Sequence, residues 1–173
     1  MVEPSCEEIQ SDALAPEPGW APMGPWPFPH GRPGQFVVGD DSGNRFRIRY
    51  YRDAVDPHVF HGKVWFGPGT EGPPMHAHGG AMAAVLDEAL GTACWVAGIA
   101  VVAGTLTTRY RKMLPLCRVV LVEARIEGRG GRSVRVVGRL YDANGTYTEA
   151  EAVYVAIEGQ LAEDLKSAMV ERG

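Results

Sequence analysis

The 173-residue chain is poor in cysteine, with Cys6, Cys94 and Cys117 alone. Their number is odd, and they form no CxxC pair and no zinc-ligand spacing. Neither a disulfide framework nor a thiolate metal site is indicated, and reduced thiols are expected. A basic excess is also missing. Lys and Arg number 17 against 21 Asp and Glu, and the formal net charge of −4 gives no support to nucleic acid as a partner. No Walker loop or GxGxxG motif occurs. No GxSxG elbow occurs either, which argues against a serine hydrolase. The first residues carry acids where a secretory signal has bases, and no apolar h-region follows, so a cytoplasmic protein is expected. The longest apolar stretch, Gly79 to Gly104, is interrupted by Asp87 and Glu88. The run after them is shorter than the ~18–20 residues of a membrane span. A buried helix leading into a strand fits it better.

What is present is ordinary for a soluble globular chain, 45% apolar and 22% charged, and long enough for one domain with its own core. Residues 1–35 hold eight of the thirteen prolines, with Trp20, Trp26 and Phe28 among them. Such a composition supports neither a regular helix nor a central strand. It reads as an N-terminal extension, flexible or packed over the domain as a lid, ahead of a domain over residues 36–173.

Within that domain, strand patterns run over Phe46–Tyr51 and Val59–Phe66, and a Gly/Pro loop covers Gly67–Pro74. The segment from about Gly79 to Ala97 is too long and too rich in Ala, Leu and Met for a strand. Four more strand patterns follow, roughly Val102–Arg111, Arg118–Glu127, Ser133–Asp142 and Tyr147–Ile157. Asn144-Gly145 signals a type I′ hairpin between the last two. Gln160–Glu171 reads as a short amphipathic helix. Short turns predict an antiparallel meander for the last four strands. A helix apolar on nearly every face must be wrapped, and a curved antiparallel sheet does this. The expected class is α+β, with the strand count and wrapped helix of the hotdog architecture.

The chemistry centres on the start of that helix. Gly79 and Gly80 let a carbonyl approach their backbone closely. The first N–H groups of a helix lack intrahelical partners, and the helix dipole adds positive potential. An oxyanion would be stabilised there; paired glycines also simply start helices. Asp87 and Glu88 are the only carboxylates in the helix. Two readings of Asp87 stand side by side: an ion pair to a strand arginine such as Arg109 or Arg111, or a general base or nucleophile. Glu88 projects ~100° away around the helix, at the edge of any site. Arg109, Arg111 and Lys112 end a strand, either as solvated residues or as partners for phosphates. His76-Ala-His78 and His58-Val-Phe-His61 resemble metal-ligand pairs, but the nearest Glu after the first lies in the helix, so no metal is expected.

The run Gly72-Pro-Pro-Met-His-Ala-His-Gly-Gly-Ala-Met-Ala-Ala-Val-Leu-Asp-Glu-Ala-Leu-Gly91, with its HGG and spaced acid, resembles the signature of PaaI-like and THEM4-like hotdog acyl-CoA thioesterases. Thr105-Leu-Thr-Thr-Arg-Tyr-Arg-Lys-Met-Leu-Pro-Leu116 resembles the family's third strand, which usually ends in an aromatic residue, a basic residue and a proline. The resemblance spans about Val59 to Ile157. It implies hydrolysis of an acyl thioester, with Asp87 as base or nucleophile, the Gly79 N–H as oxyanion donor and His78 shaping the oxyanion hole. Gly80, Glu88, Thr105, Arg109, Arg111 and Lys112 are the expected substrate contacts. Coenzyme A enters only as part of the substrate, and no cofactor is implied. Two positions depart from the family. Gly72 stands where relatives carry Asn or Gln, and Ala103 where they carry Ser or Thr. Thr105, two residues on, is expected on the same strand face as Ala103. A non-catalytic acyl-CoA or acyl-carrier-binding protein is the competing reading. A hotdog hydratase would need a D-x-N-P-x-H pattern that is absent.

Gly79 and Asp87 are eight residues apart, ~12 Å along a helix axis. A base must come within ~3 Å of its water or carbon, so one helix can hardly serve one thioester with both. A neighbouring antiparallel helix would complete each site. A homodimer, or a dimer of dimers, is therefore expected.

Overall fold

Strands form where apolar side chains alternate, and the alternation here sorts them onto two faces. The computed structural model describes residue 6 and residues 11–23, 35–40 and 42–171. The strands are β1 (Trp20–Pro22), β2 (Phe46–Asp53), β3 (Val59–Phe66), β4 (Val101–Tyr110), β5 (Arg118–Gly130), β6 (Ser133–Asp142) and β7 (Gly145–Ala156); the helices are α1 (Gly79–Val96) and α2 (Gln160–Glu171). They make one seven-stranded sheet in the order β1-β2-β3-β5-β6-β7-β4, with every pairing antiparallel. Met82, Val85, Leu86, Leu90 and Cys94 of α1 pack with Phe60, Val64, Val122 and Leu140 of the sheet in one core. This is the α+β hotdog arrangement that the sequence predicts. No helix among the described residues is long and apolar enough to cross a membrane.

Three expectations need correction. The last four strands are not a simple meander: β5, β6 and β7 are, but β4 pairs with β7 at the sheet edge. The link after β4 is the reason. Leu114 accepts from the Ala77 N–H, the Leu116 N–H reaches Met75, and the Cys117 N–H reaches Phe66. These bonds hold the link under the start of α1 and deliver the chain to the end of β3, so β5 pairs there. The β6–β7 turn is not type I′ either. Of Asn144 and Gly145 only Gly145 has a positive φ, 111°, and the register slips between Leu140 and Tyr141. The two turn residues are Ala143 and Asn144, Gly145 opens β7 opposite Asp142, and the bulge falls at Tyr147. Finally, α1 is not wrapped on all sides in the single chain. Gly80 and Asp87 are exposed, and Ala84, Glu88 and Gly91 are only half-buried, which leaves one side of the helix open.

The outer face of the sheet has its own small layer. Val59, His61, Lys63 and Trp65 alternate with the core-facing residues of β3. Residues 11–23 cover part of this face: Trp20 stacks on His61 with ring centroids 4.6 Å apart, Glu17 pairs with Lys63 at 2.6 Å, and the buried Tyr51 hydroxyl donates to the Leu14 carbonyl. The described part of the 1–35 extension thus adds an edge strand and a cover to the sheet. Trp26 and Phe28, also expected to pack over the domain, lie outside the described residues. Cys6 is joined to Cys117 in a disulfide, with Cα atoms 5.4 Å apart, against the expectation of reduced thiols throughout. Cys94 is free and buried, and burial pushes its thiol up to about 12, which leaves it inert.

Candidate active site

His78 is the N-cap of α1, with extended backbone (φ −62°, ψ 138°). Its own N–H donates to the Thr70 carbonyl at 2.7 Å. Its Nδ1 accepts the Gly80 N–H at 2.9 Å, so the imidazole does the capping usually done by Ser or Asp. An accepting Nδ1 bears no proton, so the ring carries its proton on Nε2. The Gly80 N–H is thereby taken, while the Gly79 N–H has no acceptor among the described residues. The helix start therefore presents one free backbone donor beside an imidazole N–H.

Gly72 and Tyr110 hold this corner from two sides. A Cβ on Gly72 would come within 2.7 Å of the His78 Cα. The ring of Tyr110 lies over Gly79, where a Cβ would meet its Cζ at 3.2 Å, and the Tyr110 hydroxyl donates to the Gly79 carbonyl at 3.0 Å. Met75, Tyr110 and Met113 are exposed apolar residues around the same end of α1, an apolar rim beside the free donors.

Asp87 lies two turns further along, on the open side of α1. The Tyr154 hydroxyl is 2.8 Å from the Asp87 carbonyl and 3.1 Å from its Oδ1. Tyr154 is 3% exposed. Burial, then the Asp87 charge, push its phenol well above the usual range, so it stays a donor. Ala103 is the direct cross-strand partner of Tyr154, and cross-strand partners share a face. The position without a hydroxyl thus adjoins the residue whose hydroxyl reaches Asp87. Thr105 does not share that face, contrary to expectation. A bulge at Gly104 shifts the register so that Thr105 pairs with Val153, which points outward and is 39% exposed. Beyond the bulge it is Thr108, paired with the buried Ala150, that faces the helix.

Glu88 is half-buried, and burial, then the neighbouring Asp87 charge, raise its carboxyl above the ordinary value. Arg109 and Arg111 flank Tyr110, which lies over Gly79, but pair with acids of β7 on the outer face. Arg109 bonds Glu151 at 2.6 Å; Arg111 bonds Glu149 through two nitrogens at 3.0 and 2.7 Å; Lys112 bonds the Asn144 carbonyl. Asp87 has neither arginine as partner. The histidines are scattered: His76 Nδ1 bonds the Pro74 carbonyl, and His61 bonds Asp53 on the outer face. Among the described residues no three His, Cys, Asp or Glu side chains gather as a metal group.

Two residues of this corner escaped the sequence reading. Tyr110 figured only as a strand-end aromatic. Tyr154 had a signal: along β7, Ala150, Ala152, Tyr154 and Ala156 form one buried face, and a phenol among alanines needs a partner for its hydroxyl.

This architecture has known counterparts. A family model described as thioesterase superfamily matches residues 75–149, which include the whole helix start and Asp87. Over these residues the chain is similar to the thioesterase superfamily. Among its relatives is the mouse (Mus musculus) acyl-coenzyme A thioesterase THEM4, 30% identical over 129 residues, which are 72% of this chain and 54% of that protein. The Xenopus laevis protein of the same name is 33% identical over 94 residues, 53% of this chain and 42% of that one. The chain spans about half the length of these curated relatives. A crystal structure described as a thioesterase superfamily protein superposes with a TM-score of 0.59 at 28% identity, covering 62% of this chain and 53% of that one. A hypothetical thioesterase with coenzyme A from Streptococcus pneumoniae superposes at 0.57 with 16% identity, covering 65% and 88%; that likeness shows the fold alone.

Proposed function

We propose that this chain hydrolyses acyl-CoA thioesters at a site made of His78, Gly79 and Asp87. The observation that carries the reading is the helix start. Its Gly79 N–H has no acceptor among the described residues, and the capping bond at His78 Nδ1 leaves the neighbouring imidazole with an Nε2–H. Two donors at the positive end of a helix suit the oxyanion that forms when a thioester carbonyl is attacked. In the reaction, water adds to the carbonyl carbon, the C–S bond breaks, and the thiolate leaves as the thiol. Asp87 takes the proton of the water or attacks the carbonyl itself. Mouse and frog relatives that carry acyl-coenzyme A thioesterase names support the substrate class, and the structure that holds coenzyme A supports its binding to this fold.

The ~12 Å between Gly79 and Asp87 along one helix makes a homodimer part of this reading, with two sites each built from both chains. The open side of α1, with exposed Asp87 and half-buried Ala84 and Gly91, is the face a second α1 would cover. Arg109, Arg111 and Lys112 would serve coenzyme A phosphates only by releasing Glu151, Glu149 and Asn144. A cytoplasmic location also belongs to the reading, and a Cys6–Cys117 bond intact in cells counts against that part alone.

The test is release of free thiol from a panel of acyl-CoA and acyl-carrier thioesters, wild type beside Asp87→Asn. Loss of turnover by roughly 10²–10⁴ in the variant supports the enzyme. Full turnover in Asp87→Asn sinks the assignment of Asp87. Tight binding without turnover by the wild type replaces hydrolysis with acyl-CoA binding, the reading that Gly72 and Ala103 favour.

A further inference from the structure

We infer that Tyr154 is the positioning residue of the site: its buried hydroxyl holds Asp87 Oδ1 and turns Oδ2 to the open side of α1, where water and thioester arrive. The inference rests on the proposed hydrolysis for its kinetic consequences and on geometry alone for the contact itself.

The contact is built, not incidental. Tyr154 rises from β7 under the helix beside Gly91, where an added Cβ would lie 3.4 Å from the phenol ring, in ordinary contact. The phenol reaches one turn of α1 at two atoms, the Asp87 carbonyl and its Oδ1. With the side chain 3% exposed, water does not compete for the hydroxyl. Oδ2 of Asp87 has no hydrogen-bond partner among the described residues. One oxygen is therefore fixed and the other is free, the arrangement a base or nucleophile needs. The titratable groups facing Asp87 are Glu88 on the same helix and the neutral phenol of Tyr154; Arg109 and Arg111 are paired with Glu151 and Glu149.

A hydroxyl that only pinned the helix would bond the backbone carbonyl and leave the carboxylate alone. The two roles differ in a measurable way. A donor to a carboxylate favours its charged form and lowers its pKa. Removing the donor raises that pKa, so the acid limb of the pH–rate profile moves to higher pH. A bond to the backbone carbonyl has no such effect.

The experiment is kinetics and carboxyl titration on the full chain, comparing wild type, Tyr154→Phe, Asp87→Asn and the double variant. The expected result for Tyr154→Phe is a fall in kcat of about tenfold with KM within about twofold, and an acid limb displaced upward. The double variant should be no slower than Asp87→Asn, because Tyr154 acts through Asp87. Losses that multiply in the double variant, or an unmoved acid limb with only a lower melting temperature, overturn the inference. Carbon-13 titration of the Asp87 carboxyl in wild type and Tyr154→Phe decides it independently of turnover. An upward displacement in the variant supports the contact even in a protein that hydrolyses nothing, and an unchanged titration refutes it even in an active enzyme.

Discussion

His78 lies against Gly72 so closely that a Cβ on Gly72 would sit 2.7 Å from the His78 Cα and 3.0 Å from its Cβ. Gly72 has no positive φ, so the contact alone, not backbone strain, demands glycine there. The departure at Gly72 is thus coupled to the placement of the capping imidazole. Gly72→Ala should destabilise the fold by about 1–3 kcal/mol, the usual cost of overpacking, and Gly72→Asn by more. Both should also lower kcat by displacing His78 from Gly80. Denaturant unfolding and thiol release measure the two effects; an Asn variant with wild-type stability and better turnover would show that the corner has room.

Glu88 gives the protein a pH dependence of definite sign. Its folded carboxyl is raised, first by burial and then by the Asp87 charge. A raised pKa means the folded state binds the proton more tightly than the unfolded chain. The contribution is complete at pH below the unfolded value and is lost as pH rises through the folded one. Glu88→Gln should therefore melt higher than wild type at pH 7 to 8, with the difference disappearing near pH 4. Turnover should stay within a few-fold, since Asp87 and not Glu88 meets Tyr154. Melting curves across pH that run parallel for the two proteins would contradict this account of Glu88.

Much of the fold was legible because local signals agreed with it. The apolar segment after His78 became α1 starting at Gly79, and β3, β5 and β6 begin where their patterns begin. Pairing was harder to read. Nothing in β4 itself says that it joins β7; that follows from the bonds of Leu114, Leu116 and Cys117 to distant residues. Faces were legible only where the period of two is unbroken. The bulge at Gly104 inverted Thr105 and brought Thr108 to the helix side. A Cβ on Gly104 would meet the Val153 carbonyl at 2.9 Å, and an isolated strand glycine is the available hint of such a bulge. At the candidate site, His78, Gly79 and Asp87 were singled out by the family resemblance, while Tyr154 depended on the alignment of β7 under α1.

The disulfide ties the N-terminal segment to the link that supports the helix start. Cys6 and Cys117 are 111 residues apart, so the bond closes a long loop and restrains the unfolded chain strongly. Cys6→Ser should cost about 2–4 kcal/mol in non-reducing buffer and nothing once wild type is reduced as well. Because Ser is placed at position 6, the left-handed backbone of Cys117 (φ 61°) is untouched. Equal unfolding midpoints for oxidised wild type and the variant would show that the bond carries no stability.

Composite sites make a prediction about mixtures that single variants cannot. In a dimer built across two antiparallel α1 helices, His78 and Gly79 of one chain serve Asp87 of the other. Mixing inactive His78→Ala with inactive Asp87→Asn then creates heterodimers in which one site keeps an intact His78 and an intact Asp87. With free exchange in a one-to-one mixture, half the dimers are mixed and each has one working site of two, so about a quarter of wild-type turnover should return. If each site lies within one chain, every chain in the mixture carries a defect and no activity returns. The ~12 Å separation along the helix argues for recovery. The readout is thiol release before and after subunit exchange, with exchange itself followed by mass-labelled chains.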